Sequence, residues 1–308
     1  MVLQLRRPTT EAIVGSSFII ILYVLHYLSY KFEDSVPALV VITLSCTFFM
    51  FVEPIKQPQA YHNFADKRVF LCSCHASTEG FFLPPGSSSD AERRRRFIIP
   101  NFGDVISNIV IFAGGIFGIF LLQQSNNIDS AEEVETISRK WQLDVCLPIL
   151  FYSTIAISVG STYYHWNPHD ASLVWDRLPM TLAFVSIFCF MLEEYIPNNT
   201  KLGQSLLTPL LFLGIFSVLY WRWMDDLRLY ALVQFLPLII IAGLLKFYEP
   251  KHGGALQHTL ALICYGLAKV SEDLDYTIFA WTNRRISGHS MKHVLAGIAS
   301  ILLASVLL

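Results

Sequence analysis

The sequence predicts an all-α fold: a polytopic membrane helix bundle, with a seven-helix core after an N-terminal two-helix hairpin. Three observations predict it. Apolar residues make up 54% of the 308 positions and charged residues only 15%, against ~45–50% and ~25% in a soluble domain. Mean hydropathy is +0.49. Nine stretches stay apolar over the roughly 20 residues that a spanning helix needs. A water-soluble globule so poor in charge would lack the groups to wet its surface, so apolar faces must meet lipid. Lys and Arg number 22 against 24 Asp and Glu, a formal charge of −2, so no basic field draws nucleic acid. The 6 cysteines lie mostly inside apolar stretches and read as small core hydrophobes. Soluble enzyme, disordered tail and disulfide scaffold are excluded.

Taken in order, the stretches are 11–30, 37–53, 102–123, 147–165, 170–192, 203–220, 227–246, 256–280 and 288–308. The first follows Arg6 and Arg7, as a signal peptide would. Its apolar run is long, however, and no small-residue cleavage site precedes Glu33-Asp34, so it reads as a retained anchor. The long polar stretch 54–101 carries Pro84-Pro85-Gly86, serines at 87–89 and Arg93-Arg94-Arg95-Arg96, the composition of a linker. The organisation is therefore a hairpin over 1–53, a cytosolic basic linker over 54–101 and the core over 102–308. Lys and Arg gather in short cytoplasmic loops. Threading the spans with the N-terminus inside puts Arg6, Arg7, Lys56, Lys67, Arg68, Arg93 to Arg96, Arg222, Arg228, Arg284 and Arg285 there. The acceptor triplet Asn198-Asn199-Thr200 then falls on the opposite side, where glycosylation occurs.

An ionisable group costs roughly 2.5–3.5 kcal/mol at the centre of a membrane helix, so polar residues near a span ask for a reason. The fourth span ends in Ser161-Thr162-Tyr163-Tyr164-His165, the fifth opens with Trp175-Asp176-Arg177-Leu178-Pro179-Met180, and the ninth with Ser287-Gly288-His289-Ser290-Met291-Lys292-His293. His289 and His293 are one helical turn apart and share a face, as do Ser161 and His165. The threading sets all three helix ends at one depth. Three neutral imidazoles with an open position suit a catalytic zinc, which lowers the pKa of a water to about 7. Asp176 is the natural general base for that water, and Ser161 a hydrogen-bond donor to the oxyanion of an attacked carbonyl. Bland readings stand beside each. A lone membrane histidine is more often hydrogen-bonded structure, a serine bonds its own backbone one turn back, and Asp176 with Arg177 makes an interfacial ion pair. His169 is a rival ligand, more readily solvated. Glu272 supports a ligating histidine or pairs with Lys269. Trp166, Trp175, Trp221, Trp223 and Trp281 read as an aromatic belt. Cys72-x-Cys74-His75 lacks the second pair of a structural zinc site.

The three strings together resemble the alkaline ceramidase family, over about 100–308. Gly160-Ser161-Thr162-Tyr163-Tyr164-His165 is similar to its G-S-x-x-[FY]-H string, Asp176-Arg177-Leu178-Pro179-Met180 to its D-E-L-P-M, and Gly288 to Gly297 to its last-helix H-x-x-x-H string. Ser107-Asn108 is similar to the S-N near the start of the family's core. The resemblance implies that His165, His289 and His293 hold zinc, that Asp176 activates water and that Ser161 assists. The implied reaction cleaves the ceramide amide to a long-chain base and a fatty acid, in the endoplasmic reticulum or Golgi. The family's acidic calcium-binding string is replaced by Tyr61-His62-Asn63-Phe64-Ala65-Asp66-Lys67-Arg68, with Asp104 where a glutamate would stand, which argues against a calcium site. Asn63-Phe64-Ala65-Asp66-Lys67-Arg68 and the string from Asp226 to Pro237 resemble a plant and bacterial ceramidase-like branch. Two other functions fit the same residues: a seven-span zinc-containing receptor of the adiponectin-receptor type, and a hydrolase remodelling another amide- or ester-linked lipid.

Overall fold

A computed structural model of the chain describes residues 52–72, 81–83, 97–126, 145–196 and 201–308. The span expected at 11–30, most of the one at 37–53, the arginine block at 93–96 and the triplet at 198–200 lie outside the described residues. The chain divides into two compact units, Met1–Pro54 and Ile55–Leu308, and the features below belong to the second.

After a 3-10 turn at Gln59–His62 come three short strands, β1 (Val69–Cys72), β2 (Phe81–Leu83) and β3 (Phe97–Ile99). β1 is central and antiparallel to both neighbours, with Phe70 opposite Phe82 on one side and Ile99 on the other. Helices follow: α1 (Phe102–Ile106), α2 (Asn108–Asn126), α3 (Cys146–Trp166), α4 (Asp170–Tyr195), α5 (Leu202–Met224), α6 (Arg228–Phe247), α7 (Ala255–Asp273), α8 (Asp275–Trp281) and α9 (Gly288–Ala304). Among the described residues, six segments are long and apolar enough to cross a membrane: Phe102–Ser125, Cys146–Trp166, Asp170–Tyr195, Leu202–Met224, Arg228–Phe247 and Gly288–Leu307. The molecule is thus an integral, multi-pass membrane protein. Side chains such as Ile109, Phe212 and Ile239 stand 61%, 70% and 68% exposed, which is tolerable only where lipid covers them.

The expected span over 256–280 differs. It stops at Leu274 (φ −94°, ψ 21°), leaving a 19-residue α7 and a short α8. The reason is the Asp275 carboxylate just past the break. One oxygen accepts the His289 amide at 2.8 Å and the other the Ala65 amide at 2.9 Å. A straight helix would carry that group past both donors.

Packing is a closed ring: α2 touches α3, α3 touches α4, and α4 touches α6; α6 then touches α7, α7 touches α9, and α9 returns to α2. α5 packs outside, against α4 and α6. Two glycines allow the approaches that matter for the site. A Cβ on Gly160 would stand 2.0 Å from the Trp175 carbonyl oxygen, and one on Gly288 2.1 Å from that of Ser271. The Trp175 carbonyl is left bare because Pro179, four residues on, has no N–H to offer it. α3 and α4 therefore meet closely at the turn that carries Ser161 and Asp176.

Residues 55–68, read from sequence as linker, form a strap across one end of this ring. The Ile55 carbonyl accepts from Leu227 N, His62 bonds Tyr164 and Asp170, and Asp66 is fully buried beneath the Gly103 amide and Arg68.

Candidate metal centre

The centre is assembled from two helix ends. His165 lies in the last turn of α3, and α9 begins one residue before His289. That beginning is fixed by its cap: Ser287 Oγ accepts the Ser290 amide at 2.8 Å and donates to Asp104 Oδ1 at 2.6 Å. Ser290 Oγ donates to the same carboxylate oxygen at 2.7 Å. From this fixed start, one turn of helix aims His289 and His293 to the same side. His165, His289 and His293 are all buried, and one ring nitrogen of each lies within 4.8 Å of the others. A common point therefore sits less than about 3 Å from all three, against ~2.0–2.1 Å for a Zn–N bond. Ring centroids are 4.6, 4.9 and 5.0 Å apart and the planes are strongly inclined. The rings do not stack; they converge edge-on.

Whether these residues fit a metal is decided by their unused atoms. His165 is 0% exposed, and neither Nδ1 nor Nε2 has a hydrogen-bond partner among the described residues. A buried polar atom left unpaired costs about 1–3 kcal/mol. A structural histidine would have found a donor or acceptor, whereas a ligand needs a bare lone pair. His293 shows the complementary arrangement. Its Nδ1 meets Ser107 Oγ at 2.8 Å, and Nε2 faces the centre with Ser161 Oγ 3.4 Å away. Ser107 itself donates to the Asp104 carbonyl at 3.2 Å, so it accepts from Nδ1–H and leaves the Nε2 lone pair free. The triad could hold a metal ion.

The other two expected residues join it. Ser161 is 2% exposed and reaches both His293 and Asp176, itself 5% exposed. Asp176 and Arg177 form no direct ion pair. His169 is exposed and caps α4 with Ser172, away from the centre. His62 bonds Tyr164 and Asp170, and His258 is buried at the far end of the bundle against Tyr195. Of the two roles weighed for Glu272, the ion pair with Lys269 is the one formed. Its Oε1 also accepts from Lys292 Nζ at 2.6 Å, while Lys292 lies 3.4 Å from His289 Nε2.

Sequence reasoning missed four neighbours. Lys292 lay inside a quoted string but carried no role. Phe64 places its ring 4.5 Å from that of His165 and 4.8 Å from that of His289, closing the centre from the strap side. Tyr61 donates to Glu272 Oε1 at 3.1 Å. Burial, reinforced by the Glu272 charge, pushes its phenol well above the ordinary value, so it remains a donor. Trp221, placed by sequence in the aromatic belt, is 2% exposed and covers Arg177 at 4.2 Å. Trp175, Trp223 and Trp281 are exposed and Trp166 is half-buried. No periodicity points to a loop residue that folds back, so Tyr61 and Phe64 had no sequence signal beyond two aromatics in a polar run.

From Ser161, Asp176 and His293 a cavity of about 450 Å³ runs through the ring towards Met191, His258 and Leu303. The fifteen-residue step along α4 from Asp176 to Met191 makes it roughly 20 Å long. All six ring helices line it and α5 contributes nothing. Its charged groups crowd one end; the remainder is mostly apolar.

A helical membrane bundle with a metal-capable histidine triad at the polar end of an apolar chamber defines the class. No protein-family model matches the chain. Over 121 residues it is 31% identical to the Dictyostelium discoideum protein named "Putative alkaline ceramidase dcd3A", a likeness covering 37% of this chain and 41% of that protein. The chain thus spans less than half the length of this curated relative. The likeness agrees with the resemblance carried by the three motif strings.

Proposed function

We propose that the protein is an intramembrane zinc-dependent hydrolase that cleaves the amide bond of ceramide-type lipids, releasing a long-chain base and a fatty acid. The observation that carries this reading is the convergence of three buried imidazoles at the polar end of a lipid-sized chamber. His165, His289 and His293 would hold the ion. When bound there, zinc supplies Lewis-acid chemistry, polarising a carbonyl and acidifying water. The chain's own residues do the rest. The apolar wall takes the acyl chain and sets the amide carbonyl beside Ser161, whose hydroxyl donates to the oxygen as it gains charge. Asp176 takes the proton from the attacking water. As the C–N bond breaks, it returns that proton to the leaving nitrogen, so water is consumed and amine and acid are formed. Phe64 and the strap shield the centre from bulk water. Endoplasmic reticulum or Golgi membrane is the compartment that the family likeness implies.

The test pairs metal content with turnover. Purified protein should carry about one zinc per chain and hydrolyse ceramides from a chain-length panel. His289→Ala should lose the zinc and drop turnover at least a thousandfold. Zinc-free but active protein, or activity indifferent to that change, removes the proposal.

A further inference from the structure

Arg177 follows Asp176 on α4, lines the cavity and is 6% exposed. Three rings cage its guanidinium, with centroids 4.2 Å (Trp221), 4.9 Å (Tyr230) and 5.5 Å (Tyr61) away. Nη2 donates to Gln57 Oε1 at 2.7 Å, while Nη1 is buried and makes no hydrogen bond. Arg177 takes part in no ion pair among the described residues. A buried cation is ordinarily paired with a carboxylate. Aromatic faces offset its desolvation but accept no conventional hydrogen bond from the second amino group. The cage therefore holds the charge in place and leaves a donor unclaimed, as a ligand-binding arginine requires and a structural one does not.

The charges around it point the same way. The cavity's charged lining residues are Arg177, Lys269 and Lys292 against Asp176 and Glu272, three cations to two anions and a net of +1. Glu272 is already shared by both lysines. Asp176 adjoins Arg177 without an ion pair to it, so the charged end of the apolar chamber keeps one excess positive charge beside a guanidinium with an unclaimed donor.

We propose that Arg177 is an anion-recognition residue, and that the chamber takes a long-chain lipid bearing a phosphate or carboxylate at its polar end. The planar, fixed fork of a guanidinium suits both groups. This rests on the chamber being the substrate site and adds to the proposed amide cleavage a seat for an anion, carried by the lipid or formed as it is cleaved. The anion has two sources: a phosphate on the intact lipid's headgroup, or the carboxylate of the acid released by hydrolysis.

Binding of hexadecyl phosphate, palmitate and hexadecanol to the purified full chain in neutral detergent tests this. The three probes share one chain and differ only in headgroup. At least one anion should bind tenfold or more tighter than the alcohol. Arg177→Gln should abolish that difference while leaving hexadecanol binding unchanged, and Arg177→Lys should restore part of it. Preference for the phosphate alone identifies the headgroup, and preference for palmitate alone the released acid. If the alcohol binds wild-type protein as tightly as both anions, the proposal is overturned without need of any variant. It is equally overturned if Arg177→Gln leaves the anion preference intact. No turnover is measured, so a failure here and a failure of the hydrolase reading are seen separately.

Discussion

His293 illustrates how one hydroxyl decides what an imidazole can do. A ring offers a lone pair to a metal only from a deprotonated nitrogen, and the hydrogen bond at the other nitrogen chooses which one that is. Ser107 makes the choice here: its proton goes to the Asp104 carbonyl and its lone pair to Nδ1–H. Outer partners of this kind typically set metal affinity by 10–100-fold. Ser107→Ala should therefore weaken zinc binding by about that factor in a chelator competition, while zinc-free protein melts only a few degrees lower for the loss of one buried hydrogen bond. Equal zinc affinity in the two proteins would deny Ser107 this role. The i, i+4 spacing of His289 and His293 was legible because one turn of helix fixes it. The bond from Ser107 was not, since it joins residues 186 positions apart and depends on where α1 ends. Lys292 was overlooked for a related reason: its partner Glu272 stands on another helix, 20 positions back.

At the scale of elements, the strap over 55–68 is held by an acid that does no chemistry. Asp226 accepts from the Ile55 amide at 3.3 Å, Tyr220 Oη at 3.2 Å and the Arg228 guanidinium at 2.7 Å. Burial raises the carboxyl's pKa, but the hydrogen bonds and charge of Arg228 outweigh it, and the net shift is downward from the ordinary carboxylate value. With a folded value below the unfolded one (~3.9), the contribution to stability is complete above the unfolded value. It is lost as pH falls through the folded one. Hydrogen exchange across 55–68 should accordingly accelerate below about pH 4. Asp226→Asn should reproduce this at neutral pH, by roughly 2 kcal/mol or about 30-fold, while the bundle amides stay protected. Exchange in the variant that matches wild type at every pH would show that the strap is held elsewhere. Six spans were legible because hydropathy and length alone define them. The break at Leu274 and the docking of the strap were not, because both depend on Asp275 meeting amides 14 and 210 positions away. A composition typical of linkers carries no trace of such contacts.

For the molecule as a whole, the ring of six helices makes the chamber's depth a property of the fold rather than of any loop. α5, excluded from the lining, braces α4 and α6 from outside. The catalytic groups proposed here sit at one end, so a bound chain must extend towards Met191, His258 and Leu303, and the far wall becomes a ruler for its length. Ala261 lines that region and is 5% exposed, so a larger side chain there projects into space that the chain's terminus would occupy. Each methylene returned to water forfeits ~0.8 kcal/mol. Excluding three would cost about 2.4 kcal/mol, near 60-fold in affinity for a chain that fills the chamber, and nothing for one too short to reach Ala261. Ala261→Phe should therefore leave short-chain fatty acids bound as in wild type and weaken the longest by more than tenfold. Because the polar end is untouched, zinc content should not change. A uniform loss across all lengths would mean that the substitution disturbs the ring itself. An unchanged length profile would mean that the acyl chain leaves the chamber sideways between helices, and the ruler would be discarded.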